Sequence, residues 1–121
     1  MPGARSNRPR VVDWDAGERR RRRLETELDR IVAALPQFGV RRAIVFGSLA
    51  KGNVRGGSDL DLILIADSQE SFSERCARFY RALRPSIGLD LLVYTPAEFE
   101  VMRSGSFLRR ALTEGRSVYE A

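Results

Sequence analysis

Residues 46–65 read FGSLAKGNVRGGSDLDLILI, a run that joins two apolar segments through a polar, glycine-rich loop. Two aspartates, Asp59 and Asp61, stand where the second apolar segment begins, and Ser58 directly precedes them. A carboxylate is costly to desolvate without a partner, and two carboxylates on one side also repel each other. The pattern therefore predicts either solvated side chains at a strand end or a pair that holds something positive between them.

The segment after the loop, DLDLILIA at residues 59–66, is typical of a buried strand. Successive side chains on a strand point to opposite faces. One face would carry leucines and the other would carry the two aspartates followed by isoleucines: Leu60, Leu62 and Leu64 against Asp59, Asp61, Ile63 and Ile65. Apolar side chains on both faces indicate a strand that is covered on both sides. Two carboxylates on one face can also bind a divalent cation together.

Helical and extended patterns alternate along the chain in the order α-β-α-β-α-β-α-α. Helices are predicted near residues 15–35, 48–51, 72–83, from 95–98 onwards, and 106–114. Strands are predicted at residues 41–48, 59–66 and 87–95, with an extended tail at 116–120. Asp15 is expected to cap the first helix. Residues 1–14 lack a core-forming period and are expected to be a mobile N-terminal segment, which leaves residues 15–121 as one α/β domain.

Positive charge is in excess in this chain of 121 residues, with 21 Lys and Arg against 16 Asp and Glu and a net charge of +5. Five consecutive arginines at residues 19–23 are its most concentrated part. Such a run can meet RNA, another nucleic acid or an acidic partner, but a solvated helix face is the simpler interpretation. The run alone leaves its partner open.

Histidine is absent from the sequence, and there is one cysteine. The absence of histidine excludes Ser–His and Cys–His nucleophilic chemistry and ordinary zinc sites. Catalysis must use carboxylates, hydroxyls, Lys or Arg, and a metal ion should be a hard, oxygen-bound one such as Mg²⁺ or Mn²⁺. No secretory signal or apolar run near about twenty residues is present. We therefore expect a soluble, cytoplasmic protein without a membrane partner.

A phosphate cradle is predicted at Gly47 and Ser48, which follow the first strand directly and open a turn of helix. Free backbone N–H groups and the positive end of a helix favour a phosphate there, and glycine allows close approach. Lys51, the only lysine in the chain, is either a phosphate contact or an exposed helix residue. Asp90, between leucines in the third predicted strand, adds a third carboxylate. Three carboxylates can hold two Mg²⁺ ions, which activate an attacking oxygen and stabilise a leaving pyrophosphate.

The pattern FGS, ten residues, then DLDL, with LDL further on, resembles the polymerase-beta-like nucleotidyltransferase superfamily. The fuller string GSLAKGNVRGGSDLDLIL resembles the minimal nucleotidyltransferase branch, and the likeness covers roughly residues 20–120. The C-terminal strings TPAEFE and LRRALTEGRSVYE are similar to members that serve as antitoxins beside HEPN-domain ribonuclease toxins. The resemblance implies the α/β (α+β) fold of that superfamily, a small mixed sheet of three main strands plus a short C-terminal strand, flanked by helices.

The resemblance also implies a reaction, the transfer of a nucleotidyl group from a nucleoside triphosphate with departure of pyrophosphate. The implied cofactor is Mg²⁺, as two ions, with Mn²⁺ as a substitute. Gly47 and Ser48 would hold the β- and γ-phosphates, while Asp59 and Asp61 would bind both metal ions. Asp90 would bind the catalytic ion and help to deprotonate the acceptor hydroxyl.

Lys51 and Ser58 complete the predicted nucleotide-binding set, and Ser58 is expected to order the loop or to be a plain polar turn residue. In the antitoxin branch the donor is ATP and the acceptor is a tyrosine hydroxyl of the toxin, so ATP and a HEPN-domain toxin are the implied partners. Two alternatives stay open. One is transfer to RNA or to a small hydroxylated substrate, and the other is neutralisation of the partner by binding alone. The three carboxylates favour a catalyst over a plain binder.

Overall fold

The computed structural model describes residues 14–121, which form a four-stranded sheet with helices on both faces. The helices are α1 Trp14–Ala34, α2 Gly47–Lys51, α3 Phe72–Leu83, α4 Pro96–Met102 and α5 Ser106–Glu114, with a 3₁₀ turn at Leu35–Phe38. The strands are β1 Val40–Phe46, β2 Leu60–Ala66, β3 Leu89–Tyr94 and β4 Arg116–Glu120. The predicted N-terminal segment lies outside the described residues, apart from Trp14 at the start of α1.

The strands lie in the order β3-β2-β1-β4, with β2 and β3 parallel and β1 antiparallel to both of its neighbours. This arrangement confirms the predicted mixed sheet of three main strands plus a short C-terminal strand. Because β1 runs opposite to β2, its last residue, Phe46, pairs with Asp61 near the start of β2. The end of β1 and the beginnings of β2 and β3 therefore meet at one edge of the sheet.

Each face of the sheet has its own apolar core, as the alternation in β2 predicts. The core under α1 and α3 contains the leucines of β2 and the apolar stripe of α1: Leu24, Leu28, Ile31, Leu35, Leu60, Leu62 and Leu64. The core under α4 and α5 contains the isoleucines of the sheet: Ile44, Ile63 and Ile65, packed on Phe99, Leu108 and Ala111. Each fully buried side chain of this size contributes about 1.5–3 kcal/mol.

Capping hydrogen bonds stabilise the first turns of two helices. A capping box joins Thr95 to Glu98 at the start of α4, where the sequence TPAE predicts it, and a second one joins Ser71 to Glu74 before α3. The expectation that Asp15 caps α1 is wrong, because α1 begins at Trp14 and Asp15 lies inside its first turn. An acidic side chain there still stabilises the helix through the positive end of its dipole.

A buried arginine joins α3 to the far end of the site-bearing strand β3. The Arg75 guanidinium donates to both carboxylate oxygens of Glu98, to the Val93 carbonyl at 2.8 Å and to the Glu70 carbonyl at 2.7 Å. Its side chain is 2% exposed. Nearly complete pairing makes this buried charge tolerable, and the pairing with Glu98 and Val93 fixes α4 against β3.

Among residues 14–121, no helix is both long enough and apolar enough to cross a membrane.

Candidate active site

Gly47 makes the turn from β1 into α2 and leaves room for a carboxylate. Its φ is +71°, a left-handed conformation that side chains rarely adopt, and a Cβ there would collide with the Asp61 carboxylate. Ser48 follows in the first turn of α2 and is half-buried, whereas Lys51 ends the helix with an exposed side chain. The structure therefore places Gly47 against Asp61, with Ser48 next in the chain, and places Lys51 at the opposite end of a five-residue helix.

Asp61 and Asp90 form a pair across the parallel strands β2 and β3. They are partners in the strand register, and the Asp90 carboxyl group is close enough to raise the pKa of Asp61. Burial, then the hydrogen bond and the negative charge of Asp90, and then the charge of Asp59, raise the pKa of Asp61 to about 6. Two carboxyl groups this close favour a shared proton at acidic pH and a cation between them when both are ionised.

Asp59 does not join that pair. It precedes β2, which begins at Leu60, one residue later than the sequence pattern predicts. The Leu60 N–H donates to the Gly88 carbonyl at 2.9 Å. The Asp59 side chain is 52% exposed, and its Oδ1 lies 3.7 Å from Nη2 of Arg20. Its carboxylate also rests against Gly88, where a Cβ would collide with it. Within residues 14–121 Asp59 is not gathered with Asp61 and Asp90 into a metal-binding group, and the predicted sharing of one strand face by Asp59 and Asp61 stays a prediction.

Ser58 closes the turn that precedes Asp59. Its hydroxyl accepts the Arg55 N–H at 2.8 Å, and its own N–H donates to the Arg55 carbonyl at 3.1 Å. Ser58 thus orders the loop, and contact between its side chain and a nucleotide stays a prediction.

Arg20 is a residue of this site that the sequence analysis missed. Its Nε donates to the Ser58 carbonyl at 2.7 Å, and its side chain is 21% exposed, against 65% for Arg22. The signal was present in the helical period, because Arg20 stands one turn before Leu24 on the buried stripe of α1. The arginine run is therefore not one uniform solvated face, since Arg20 turns inward to the loop.

The donor set at this edge fits a hard divalent cation. Its side chains are carboxylates, and a cation between Asp61 and Asp90 would relieve the repulsion that, after burial, raises the pKa of Asp61. Within residues 14–121, no three acidic, cysteine or histidine side chains are already gathered into a metal-binding group. Asp61 and Asp90 are in place, and Asp59 would have to turn away from Arg20 to complete the set.

An apolar cavity of about 360 Å³ lies further along β3, and neither Asp61 nor Asp90 lines it. Its lining is Phe72, Leu92, Tyr94, Glu98, Met102 and Phe107. Leu92 is two residues beyond Asp90 on one strand, so their side chains follow one another along the same face. Among the strands of residues 14–121, β3 pairs with β2 alone, so Asp90 lies on an outer strand of the described sheet.

A comparison with protein families decides the class of the protein. Residues 29–121 match the model of the family described as Polymerase beta, Nucleotidyltransferase. The chain belongs to this family. Membership confirms the predicted superfamily and fold, and it assigns the chain to the nucleotidyltransferases. Members of this family generally use divalent metal ions, in keeping with a carboxylate site.

Solved structures with this nucleotidyltransferase fold include two that align well. One is a candidate nucleotidyltransferase from Sulfolobus solfataricus, with a TM-score of 0.65 at 14% identity over 92% of this chain and 93% of that one. The other is a chain from a structure described as the toxin-antitoxin with AMP-PNP, with a TM-score of 0.51 at 20% identity over 77% and 73%. At these identities the likeness shows the fold alone. No curated protein matches the sequence.

Proposed function

We propose that this protein is a metal-dependent adenylyltransferase that transfers AMP from ATP to a tyrosine hydroxyl of a HEPN-domain ribonuclease toxin, and so acts as an antitoxin. The observation that carries this proposal is the Asp61–Asp90 pair, which lies at the sheet edge beside Gly47 and Ser48. Family membership supports the class of reaction. The donor, the acceptor and the partner are the proposed part.

The donor side of the site is the turn from β1 into α2. Backbone N–H groups at Gly47 and Ser48 would bind the β- and γ-phosphates, and Lys51 would add a positive charge one turn further on. Asp59, Asp61 and Asp90 would hold Mg²⁺ or Mn²⁺, which when bound activates the attacking oxygen and neutralises charge on the leaving pyrophosphate.

The acceptor side is the outer strand β3. Asp90 is exposed there, so its carboxylate can accept the proton of an incoming hydroxyl while the oxygen bonds to the α-phosphorus and pyrophosphate departs with the other bonding pair. The apolar cavity that begins at Leu92, further along β3, suits an aromatic acceptor such as tyrosine, whose ring needs apolar contacts and whose hydroxyl must reach Asp90.

The likeness to a chain of a toxin–antitoxin structure with AMP-PNP supports ATP as the donor and a toxin as the partner. The alternatives are transfer to RNA or a small hydroxylated substrate, and neutralisation by binding alone. They differ in where a labelled adenylate would go, which makes them separable in one experiment.

The test is to incubate the protein with ATP labelled at the α-phosphate, Mg²⁺, a HEPN-domain toxin encoded beside it and total RNA. We expect label on the toxin and release of pyrophosphate, both reduced about 10²–10⁴-fold by Asp61→Asn. The matched control is Asp67→Asn, because Asp67 follows the other end of β2 and pairs with Arg41 on the surface. Label in RNA would favour the first alternative, and no label on any acceptor would favour the second.

A further inference from the structure

We propose that Arg20 is a positioning residue that holds Asp59 apart from the Asp61–Asp90 pair and thereby weakens metal binding until the nucleotide arrives. This inference rests on the proposed function in one respect, since it takes Asp59 to be a metal ligand. It adds a residue from α1, outside the loop and strands that carry the aspartates, to the machinery of the site.

The geometry of Arg20 separates it from the other arginines of its run. Its Nε–H donates to the Ser58 carbonyl at 2.7 Å, a bond that spans 38 positions in the sequence. Its Nη2 lies 3.7 Å from the Asp59 Oδ1. One guanidinium therefore binds the main chain just before Asp59 and the side chain of Asp59 itself.

The surroundings keep this guanidinium in place. A Cβ added at Gly17 of α1 would come within 2.8 Å of the Val54 carbonyl oxygen, which shows how closely the helix packs against the loop. Two hydrogen bonds between Ser58 and Arg55 then close the turn that Arg20 grips. The positive charge beside Asp59 is thus held by the fold and does not depend on a freely moving side chain.

A divalent cation at the Asp61–Asp90 pair has to compete with Arg20 for Asp59. Both are positive and both need the same carboxylate, so a gain of one contact costs the other. The protein without nucleotide should therefore bind a metal ion more weakly than three carboxylates would suggest. A triphosphate brings further oxygen ligands and negative charge, so the ion would enter together with the nucleotide.

Two glutamine variants separate the charge of Arg20 from its anchoring role. In Arg20→Gln the amide nitrogen is bonded to Cδ as the arginine Nε is, so it can still donate to the Ser58 carbonyl while the charge is removed. Arg22→Gln is the matched control, because Arg22 is exposed on the same helix and only 3.9 Å from Glu18. Both variants change the net charge of the protein equally.

The test is a titration of nucleotide-free protein with Mn²⁺, in which electron paramagnetic resonance measures the free ion. Arg20→Gln should lower the Kd for Mn²⁺ by about fivefold, the size expected for charges about 4 Å apart in a high dielectric. Arg22→Gln should stay within about twofold of the unsubstituted protein. Equal effects of the two variants, weaker binding in Arg20→Gln, or no measurable Mn²⁺ binding in any of them would overturn the inference.

Asp59→Asn in the Arg20→Gln background tests the proposed function separately, because Asp59 is free to bind the ion once the Arg20 charge is gone. A loss of Mn²⁺ affinity relative to Arg20→Gln alone supports Asp59 as a ligand. An affinity equal to that of Arg20→Gln would remove Asp59 from the metal site, and the role of Arg20 would fall with it.

Discussion

At the scale of single residues, the site depends on two glycines that leave room for aspartates. Gly47 lies against the Asp61 carboxylate and Gly88 lies against the Asp59 carboxylate, and in both places a Cβ would collide with a carboxylate oxygen. Only Gly47 also has a positive φ, so substitution there would strain the backbone as well. Gly88 is the cleaner probe, because an added methyl group would chiefly displace the side chain of Asp59.

Gly88→Ala should reduce nucleotidyl transfer by about 100-fold, since a displacement of about 1 Å in a reacting group can cost that much. The fold should persist, because Asp59 is an exposed side chain that can move away. Gly57→Ala is the control, since Gly57 lies in the loop just before Asp59 and a Cβ there would meet nothing within 4 Å beyond its chain neighbours. Pyrophosphate release and circular dichroism measure the two effects. Similar activity in the two variants would mean that the position of Asp59 has no bearing on the reaction.

At the scale of elements, helix α1 is fixed to the connection between α3 and β3 by one carboxylate. The buried Glu27 accepts two hydrogen bonds from Arg30, each at 2.8 Å, and the Ser86 N–H at 2.7 Å. These contacts, led by the hydrogen bonds from Arg30, lower the pKa of Glu27 to about 2. Arg30 also donates to the Leu83 carbonyl at 3.0 Å. The Glu27–Arg30 pair therefore joins α1 to the end of α3 and to the connection that follows it.

Glu27→Gln should therefore reduce the free energy of unfolding at pH 7 by about 1–3 kcal/mol, the usual cost of disrupting a buried, satisfied polar group. A lowered pKa in the folded state means that the contribution is complete above the unfolded value of 4.5 and is lost as the pH falls toward 2. Urea denaturation at pH 7 and near pH 3 measures the difference. Asp29→Asn, at an exposed position of the same helix, is the control. A penalty for Glu27→Gln that is the same at both pH values would contradict this role.

Local patterns were sufficient to predict most elements. The alternation in β2, the stripe of α1 and the TPAE box each depend on neighbours along the chain, and the structure has all three. Cores built by side chains from distant segments were less predictable. Phe72 continues the helical period of α3 yet is 37% exposed, whereas Arg75 on the same helix is buried because Glu98 and two carbonyl groups accept its N–H groups.

At the scale of the whole molecule, the site forms because one strand runs against two others. The end of β1 meets the beginnings of β2 and β3, and this brings Gly47, Asp61 and Asp90 to one edge. The sequence predicted that three strands contribute to one site, but the register that pairs Asp61 with Asp90 is a long-range property that no local pattern contains. The ion pair between Arg20 and Asp59 is a long-range property of the same kind, since Arg20 lies on a distant helix.

The exposed position of Asp90 has a consequence for the acceptor. Asp90 is exposed on an outer strand of the described sheet, so a docked partner can contact it. A docked macromolecule would then exclude water from the reaction, as closure does in enzymes with a lid. This is the physical reason why we propose a protein acceptor.

The most direct measurement is the intact mass of a HEPN-domain toxin before and after incubation with this protein, ATP and Mg²⁺, followed by separation of the two proteins. We predict a mass gain of one or more AMP groups, located on a tyrosine, and a toxin that stays inactive after the separation. The Asp90→Ala variant should give no gain while it still binds ATP. An unchanged toxin mass, with inhibition that disappears when the proteins are separated, would contradict adenylyl transfer as the mechanism.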